Sequence, residues 1–227
     1  QMAIRNAQLG LRVLYLSLEM TNESLLYRWA MKRLNITKQQ WKTGEYNKPK
    51  VLGLIASLPF SHLILKRLEL EESGEISLDF ITKTIKEGYD MVFIDNFGFI
   101  QAEGESTNEQ MATISRAMVA LKKETNAVII ALHHFKKGMT NKPRGLDSIM
   151  GSSKLSHDVD FVIQIYRSLD LDADASEEAK AEVAISLMKD RDFGDYSLGV
   201  LYYREGEYLD SFMSQPVFNP VLNENLH

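Results

Sequence analysis

Three short stretches, residues 12–18 (RVLYLSL), 91–94 (MVFI) and 127–132 (AVIIAL), are apolar almost without interruption. A strand with one wet face alternates apolar and polar side chains. A strand that is apolar throughout needs cover on both faces, as in a parallel sheet flanked by helices. The sequence between these stretches has helical spacing, so the chain predicts an α/β fold: a mostly parallel, twisted sheet with helices on both faces. A helix ending near residue 9 precedes Gly10, which stands where helices stop. Residues 21–34 open on Thr21, a capping residue, and set Leu25, Leu26, Trp29, Ala30 and Arg33 at helical spacing. Further helices are expected over 77–87 and 108–124, and further strands at 62–65, 161–166 and 183–188. A hairpin of 197–203 with 207–212, joined by a short Gly-containing turn, predicts an antiparallel C-terminal edge. Residues 1–213 read as one domain and 214–227 as a tail.

Composition removes several function classes. The 227 residues include no cysteine, which excludes disulfide scaffolds, thiolate metal sites and cysteine nucleophiles. No apolar run approaches the roughly 20 residues that span a bilayer, and the start lacks a signal-peptide pattern. A cytoplasmic protein with no membrane partner is the expectation. The net charge of −5 argues against a polyanion partner until it is resolved along the chain. Residues 116–154 hold eight basic side chains against two acids, a local +6. Such a stretch either binds phosphates or is a solvated helix face. Part of it, 136–150 (KKGMTNKPRGLDSIM), is a long polar connection; like 101–108, it leaves the carboxyl end of a strand, where open α/β sheets bind ligands.

Few residues stand where chemistry could use them. Asp95 ends the apolar run VFID, a position suited to holding Mg²⁺ against phosphates or to capping the next turn. Glu19 repeats the geometry in SLEM; it can polarise an attacking water or serve the helix start at Thr21. His134 follows the third apolar run, and because adjacent side chains on an extended chain point oppositely, only one of His133 and His134 faces any site there. It reads either as a phosphate contact or as an ordinary surface or core histidine. Lys189 and Arg191 follow the 183–188 strand on one face, either reaching a neighbouring subunit's phosphates or pairing with Asp190, Asp192 and Asp195.

Taken in order, SLEM (17–20), FIDN (93–96), ALHH (131–134), SIMGSSKLSHDVDFVIQIYR (148–167) and MKDRDFGD (188–195) resemble the hexameric replicative DNA helicases of the DnaB and phage or mitochondrial primase-helicase types. The resemblance covers about residues 1–212 and implies a RecA-like ATPase core. It implies catalytic roles for Glu19 (activating water), Asp95 (holding Mg²⁺), His134 (sensing the γ-phosphate) and the pair Lys189 and Arg191 (acting in trans on a neighbour's nucleotide). The cofactors it implies are ATP or another NTP with Mg²⁺, bound in part by Asp95, Lys189 and Arg191. The segment 136–154 would line a central channel and track single-stranded DNA, with Lys136, Lys137, Lys142, Arg144, Gly151, Ser152 and Lys154 as contacts. The implied partners are single-stranded or forked DNA, further copies in a ring of six, and a primase or helicase loader. The length of 151–167 and the histidine at position 134 favour the phage and mitochondrial branch, and the implied setting is the cytoplasm of a bacterial or phage-infected cell.

One departure stands out. The phosphate-cradling G-x-x-x-x-G-K-[ST] loop of these helicases does not occur in the 227 residues. The expectation is therefore of a helicase fragment that begins after its P-loop and does not turn over ATP by itself. The alternatives are another RecA-fold ATPase, of recombinase or clock type, and a non-hydrolytic DNA-binding or docking module.

Overall fold

The structure is a computed structural model, and it describes residues 1–66, 76–134, 158–166, 175–192, 197–204 and 207–209. In chain order the first half comprises α1 (Met2–Gln8), β1 (Val13–Ser17), α2 (Asn22–Arg33), α3 (Lys38–Thr43), α4 (Lys48–Ala56) and β2 (Leu63–Lys66). Then come β3 (Ile76–Ser77), α5 (Leu78–Ile85), β4 (Met91–Asp95), the 3-10 turn Phe97–Phe99, β5 (Ile100–Gln101), α6 (Thr107–Thr125) and β6 (Val128–Ala131). The last part holds β7 (Phe161–Tyr166), α7 (Glu177–Ala181), β8 (Glu182–Asp190), β9 (Ser197–Arg204) and β10 (Glu207–Leu209).

The predicted parallel sheet is present, with order β2-β1-β4-β6 and every pair parallel. Its two faces explain the unbroken apolar runs. Leu14 and Leu16 of β1 with Val92 and Ile94 of β4 pack against Ile81 and Ile85 of α5 and Ile114, Met118 and Leu121 of α6. The alternate residues Val13, Phe93 and Leu63 meet Ala3 and Ala7 of α1 on the opposite face. Each central strand thus spends both sides of its pleat on a helix layer. The amino ends of the strands are closed by Arg12, whose guanidinium donates to the carbonyls of Glu87 and Gly88 and whose backbone N–H donates to Asp90.

The expected antiparallel C-terminal hairpin is also present, but among the described residues it belongs to a second sheet, four strands paired in the order β10-β9-β8-β7, and not to an edge of the parallel one. Strand β8 runs through Asp190, so Lys189 lies within the strand instead of after it. Two helices appear where sequence patterning predicts none. The first, α3, buries no residue and so shows no apolar stripe; a Thr37–Gln40 capping box and Gly44 at φ 76° delimit it. The second, α4, starts at Asn47, whose side chain accepts from Lys50 N, and packs Val51 and Leu54 against Ala30 of α2. The two-stranded pairing of β3 with β5 and the short α7 were likewise not expected. Among the described residues no helix is long and apolar enough to cross a membrane.

Candidate functional site

The carboxyl ends of β1, β4 and β6 bring the sequence-predicted acids and one histidine together. Strand β1 pairs in register with β4 up to Ser17 opposite Asp95, and Leu18 N donates to Asp95 O at 2.6 Å, carrying the ladder past the strand end. Two residues further, the chain turns into α2. Ser17 Oγ donates to Met20 O at 2.7 Å, and Thr21 caps the helix by accepting from Ser24 N. Glu19 is left at the crest of that turn, with its side chain half exposed. From β6, Leu132 N donates to Ile94 O and its carbonyl accepts from Phe97 N, which fixes the exit of ALHH beside the exit of FIDN.

Glu19 Oε2 lies 3.7 Å from His134 Nε2 and 3.5 Å from Asn96 Nδ2. The first contact is an ion pair only when the imidazole is protonated, and both are long. As alternation requires, His133 turns away and packs edge-on against Phe97 at 6.3 Å. The Oδ1 of Asn96 accepts from Gly98 N at 2.8 Å, so this amide, 5% exposed, is oriented before it reaches Glu19.

Asp95 has a partner that sequence reading did not single out. The Tyr15 hydroxyl donates to Asp95 Oδ2 at 2.7 Å, while its ring stacks on Phe93 at 5.9 Å. Burial, and then the hydrogen bond to the Asp95 carboxylate, push the Tyr15 phenol well above the ordinary tyrosine range. The signal was available in principle, since Tyr15 is opposite Phe93 in the β1–β4 register and therefore on the same face as Asp95. Reading it required the register.

The basic pair sits on the second sheet. Lys189 Nζ donates to Val159 O at 2.7 Å; Arg191 donates to Asp158 O at 3.0 Å and approaches Asp160 Oδ1 at 2.6 Å. Asp160, a residue the sequence reading passed over, is thus a charge partner of Arg191. Its second oxygen accepts from Lys122 Nζ of α6 at 2.5 Å, and that hydrogen bond holds the Asp160 carboxyl below the usual carboxylate range. Desolvation, reinforced by the neighbouring Arg191 charge, lowers the Lys189 ammonium from its ordinary value. The basic-segment residues Lys136, Lys137, Lys142, Arg144, Gly151, Ser152 and Lys154 lie outside the described residues.

Comparison with known proteins matches residues 1–205 to the family described as DnaB-like helicase C terminal domain. The chain belongs to this family. It is 25% identical over 191 residues to the replicative DNA helicase DnaC of Bacillus subtilis, covering 80% of this chain and 42% of that protein. Replicative DNA helicase DnaB of Geobacillus stearothermophilus is 24% identical over 196 residues, with 82% and 43% covered. The chain therefore spans about two fifths of the length of these curated relatives. Among solved structures, a DnaB-like replicative helicase, studied with its interactions with primase, superposes with a TM-score of 0.76 at 20% identity, covering 92% of this chain and 54% of that one. An ATPase domain solved by itself gives 0.76 at 20% identity, with 92% and 78% covered. The RadB recombinase shares the fold more distantly, at a TM-score of 0.51 and 13% identity. The fold is accordingly that of the RecA-like ATPase domains of DnaB-type helicases, and helicase and DNA replication are the family's functional field.

Proposed function

We propose that this member of the DnaB-like helicase family is the larger part of a ring helicase's ATPase core, which moves along single-stranded DNA and unwinds duplex at a fork. The observation that carries the reading is the convergence of Glu19, Asn96 and His134 from three strand ends beside Asp95. Glu19 would act as general base toward an attacking water, with Asn96 orienting its carboxylate and His134 facing the phosphate being lost.

The oxygen donors at this edge suit Mg²⁺, a hard cation usually held by one or two carboxylates plus phosphates and waters. Asp95 would hold it, with its Oδ2 already engaged by Tyr15. When bound, the metal with the nucleotide supplies neutralisation of developing phosphate charge. The phosphate cradle itself is not in the 227 residues, which together with the partial coverage of relatives supports the reading of a fragment that is inactive alone. Lys189 and Arg191 would complete a neighbour's site in trans, which makes a closed ring, of six copies by the resemblance, part of the proposal. A primase or helicase loader as partner, a cytoplasmic setting and placement in the phage or mitochondrial branch belong to the same reading.

The test uses the full-length gene product. Forked DNA is expected to be unwound only with a hydrolysable nucleoside triphosphate and Mg²⁺; nucleotide turnover without strand displacement would favour a recombinase-type ATPase instead. Lys136→Ala with Lys137→Ala is expected to weaken single-strand binding alike for all sequences and to flatten its salt dependence. An unchanged slope would remove the segment 136–154 from the DNA path.

A further inference from the structure

We infer that the segment Asp158–Val159–Asp160 is a positioning bracket for the basic pair, and that Asp160 is the residue that positions Arg191. The inference rests on the function proposed above and adds to it a positioning contact within one subunit. Three consecutive residues collect both cations of the pair and two side chains of α6. Arg191 reaches the bracket three times, through its backbone N–H to Asp160 O at 3.0 Å and through its guanidinium to Asp158 O and the Asp160 carboxylate. Lys189 adds the hydrogen bond to Val159 O.

The far side of the bracket is fastened to α6. Ser115 Oγ, buried at 2% exposure, donates to Asp158 Oδ2 at 2.7 Å, and Lys122 donates to Asp160 Oδ2. Lys122 stands seven positions after Ser115, two helical turns, so both project from one face and meet acids spaced two positions apart just before β7. Each exposed ion pair alone contributes little. Sharing one carboxylate between Lys122 and Arg191 orders both cations at once and cancels part of the repulsion among Lys122, Lys189 and Arg191.

In sequence the bracket begins four residues after Lys154, the last basic residue of the 136–154 segment, and leads directly into β7, which pairs with the strand carrying Lys189. The bracket is a two-partner element: its carboxylate answers to α6 on one side and to the trans-acting guanidinium on the other.

The experiment compares full-length protein with its Asp160→Asn and Lys122→Met variants, measuring ATP turnover with and without single-stranded oligonucleotide, oligonucleotide affinity and melting temperature. Asp160→Asn keeps the shape and removes the charge. The expected result is a loss of about tenfold in the DNA-stimulated rate, within the ordinary range of coupling, with oligonucleotide affinity within about twofold of wild type. Lys122→Met, which leaves Arg191 and Asp160 in place but removes one of the bracket's two fastenings to α6, is expected to lower the stimulated rate in the same direction. If Asp160→Asn also lowers the melting temperature, Lys122→Met decides. Stimulation at wild-type level in both variants overturns the inference, as does a loss of rate matched by an equal loss of oligonucleotide affinity. A wild-type protein that DNA does not stimulate overturns the proposed function itself, which is a different result from stimulated wild type with stimulated variants.

Discussion

At the scale of single residues, Tyr15 answers to two neighbours at once: its ring stacks on Phe93 and its hydroxyl holds one oxygen of Asp95. Tyr15→Phe keeps the first and removes the second, so it is expected to cost about 1.5–3 kcal/mol of stability in urea denaturation, because the acceptor is a carboxylate. The pH dependence follows from the direction of the shift. Burial and the Asp95 hydrogen bond raise the folded-state value above the unfolded one, so the stabilisation is complete at neutral pH and is lost as pH rises beyond the ordinary tyrosine value of about 10. Wild type and Tyr15→Phe are therefore expected to show equal tyrosinate absorbance up to about pH 11. One additional phenol titrating in wild type near pH 10 would contradict the contact. The acids of this site were legible in sequence because an apolar strand run leads up to each, ending at Asp95 and two residues before Glu19. Tyr15 and Asp160 were not, since their partners lie 80 and 31 residues away and meet them only through strand register.

At the scale of elements, the turn from β1 into α2 joins stability to the site. Thr21 caps the helix immediately after Glu19, and Ser17 closes the same turn by bonding Met20 O. Thr21→Ala is expected to cost about 1 kcal/mol, measured as a lowered urea midpoint with unchanged slope. A larger change, or an altered slope, would mean that the turn holds more of the fold than its helix start. The strands and the long helices were readable because each repeats its period over enough residues to stand above chance. The helix α3 was not, because six residues with no buried member carry no period; its Thr37 and Gln40 capping box was the signal in the sequence. The exit of β8 shows the opposite failure: the strand's length came from its pairing with β7 and β9, which carries it past the expected end at residue 188 to Asp190.

At the scale of the whole molecule, one sheet carries Glu19, Asp95 and His134 at its carboxyl edge, while the second carries Lys189 in β8 and Arg191 just past that strand's end. Under the proposed function the two sets serve different nucleotides, one in the same subunit and one next door. Mixing full-length Glu19→Gln with Arg191→Ala subunits is expected to recover ATP turnover that neither variant has alone, because some interfaces then pair an intact Glu19 with an intact Arg191. No recovery at any mixing ratio would place Arg191 in its own subunit's site or in structure alone. The amino-acid sequence by itself determined the α/β class, the strands of the parallel sheet and the acids at their tips, because periodicity and strand-end position are local properties. Which strand lies beside which, and so the placing of Asn96 and His134 at Glu19, of Tyr15 on Asp95 and of Asp160 between Lys122 and Arg191, was decided by the tertiary structure alone. Those contacts join residues far apart in the chain, and only the packing of both faces of the sheet sets the register that lets them meet.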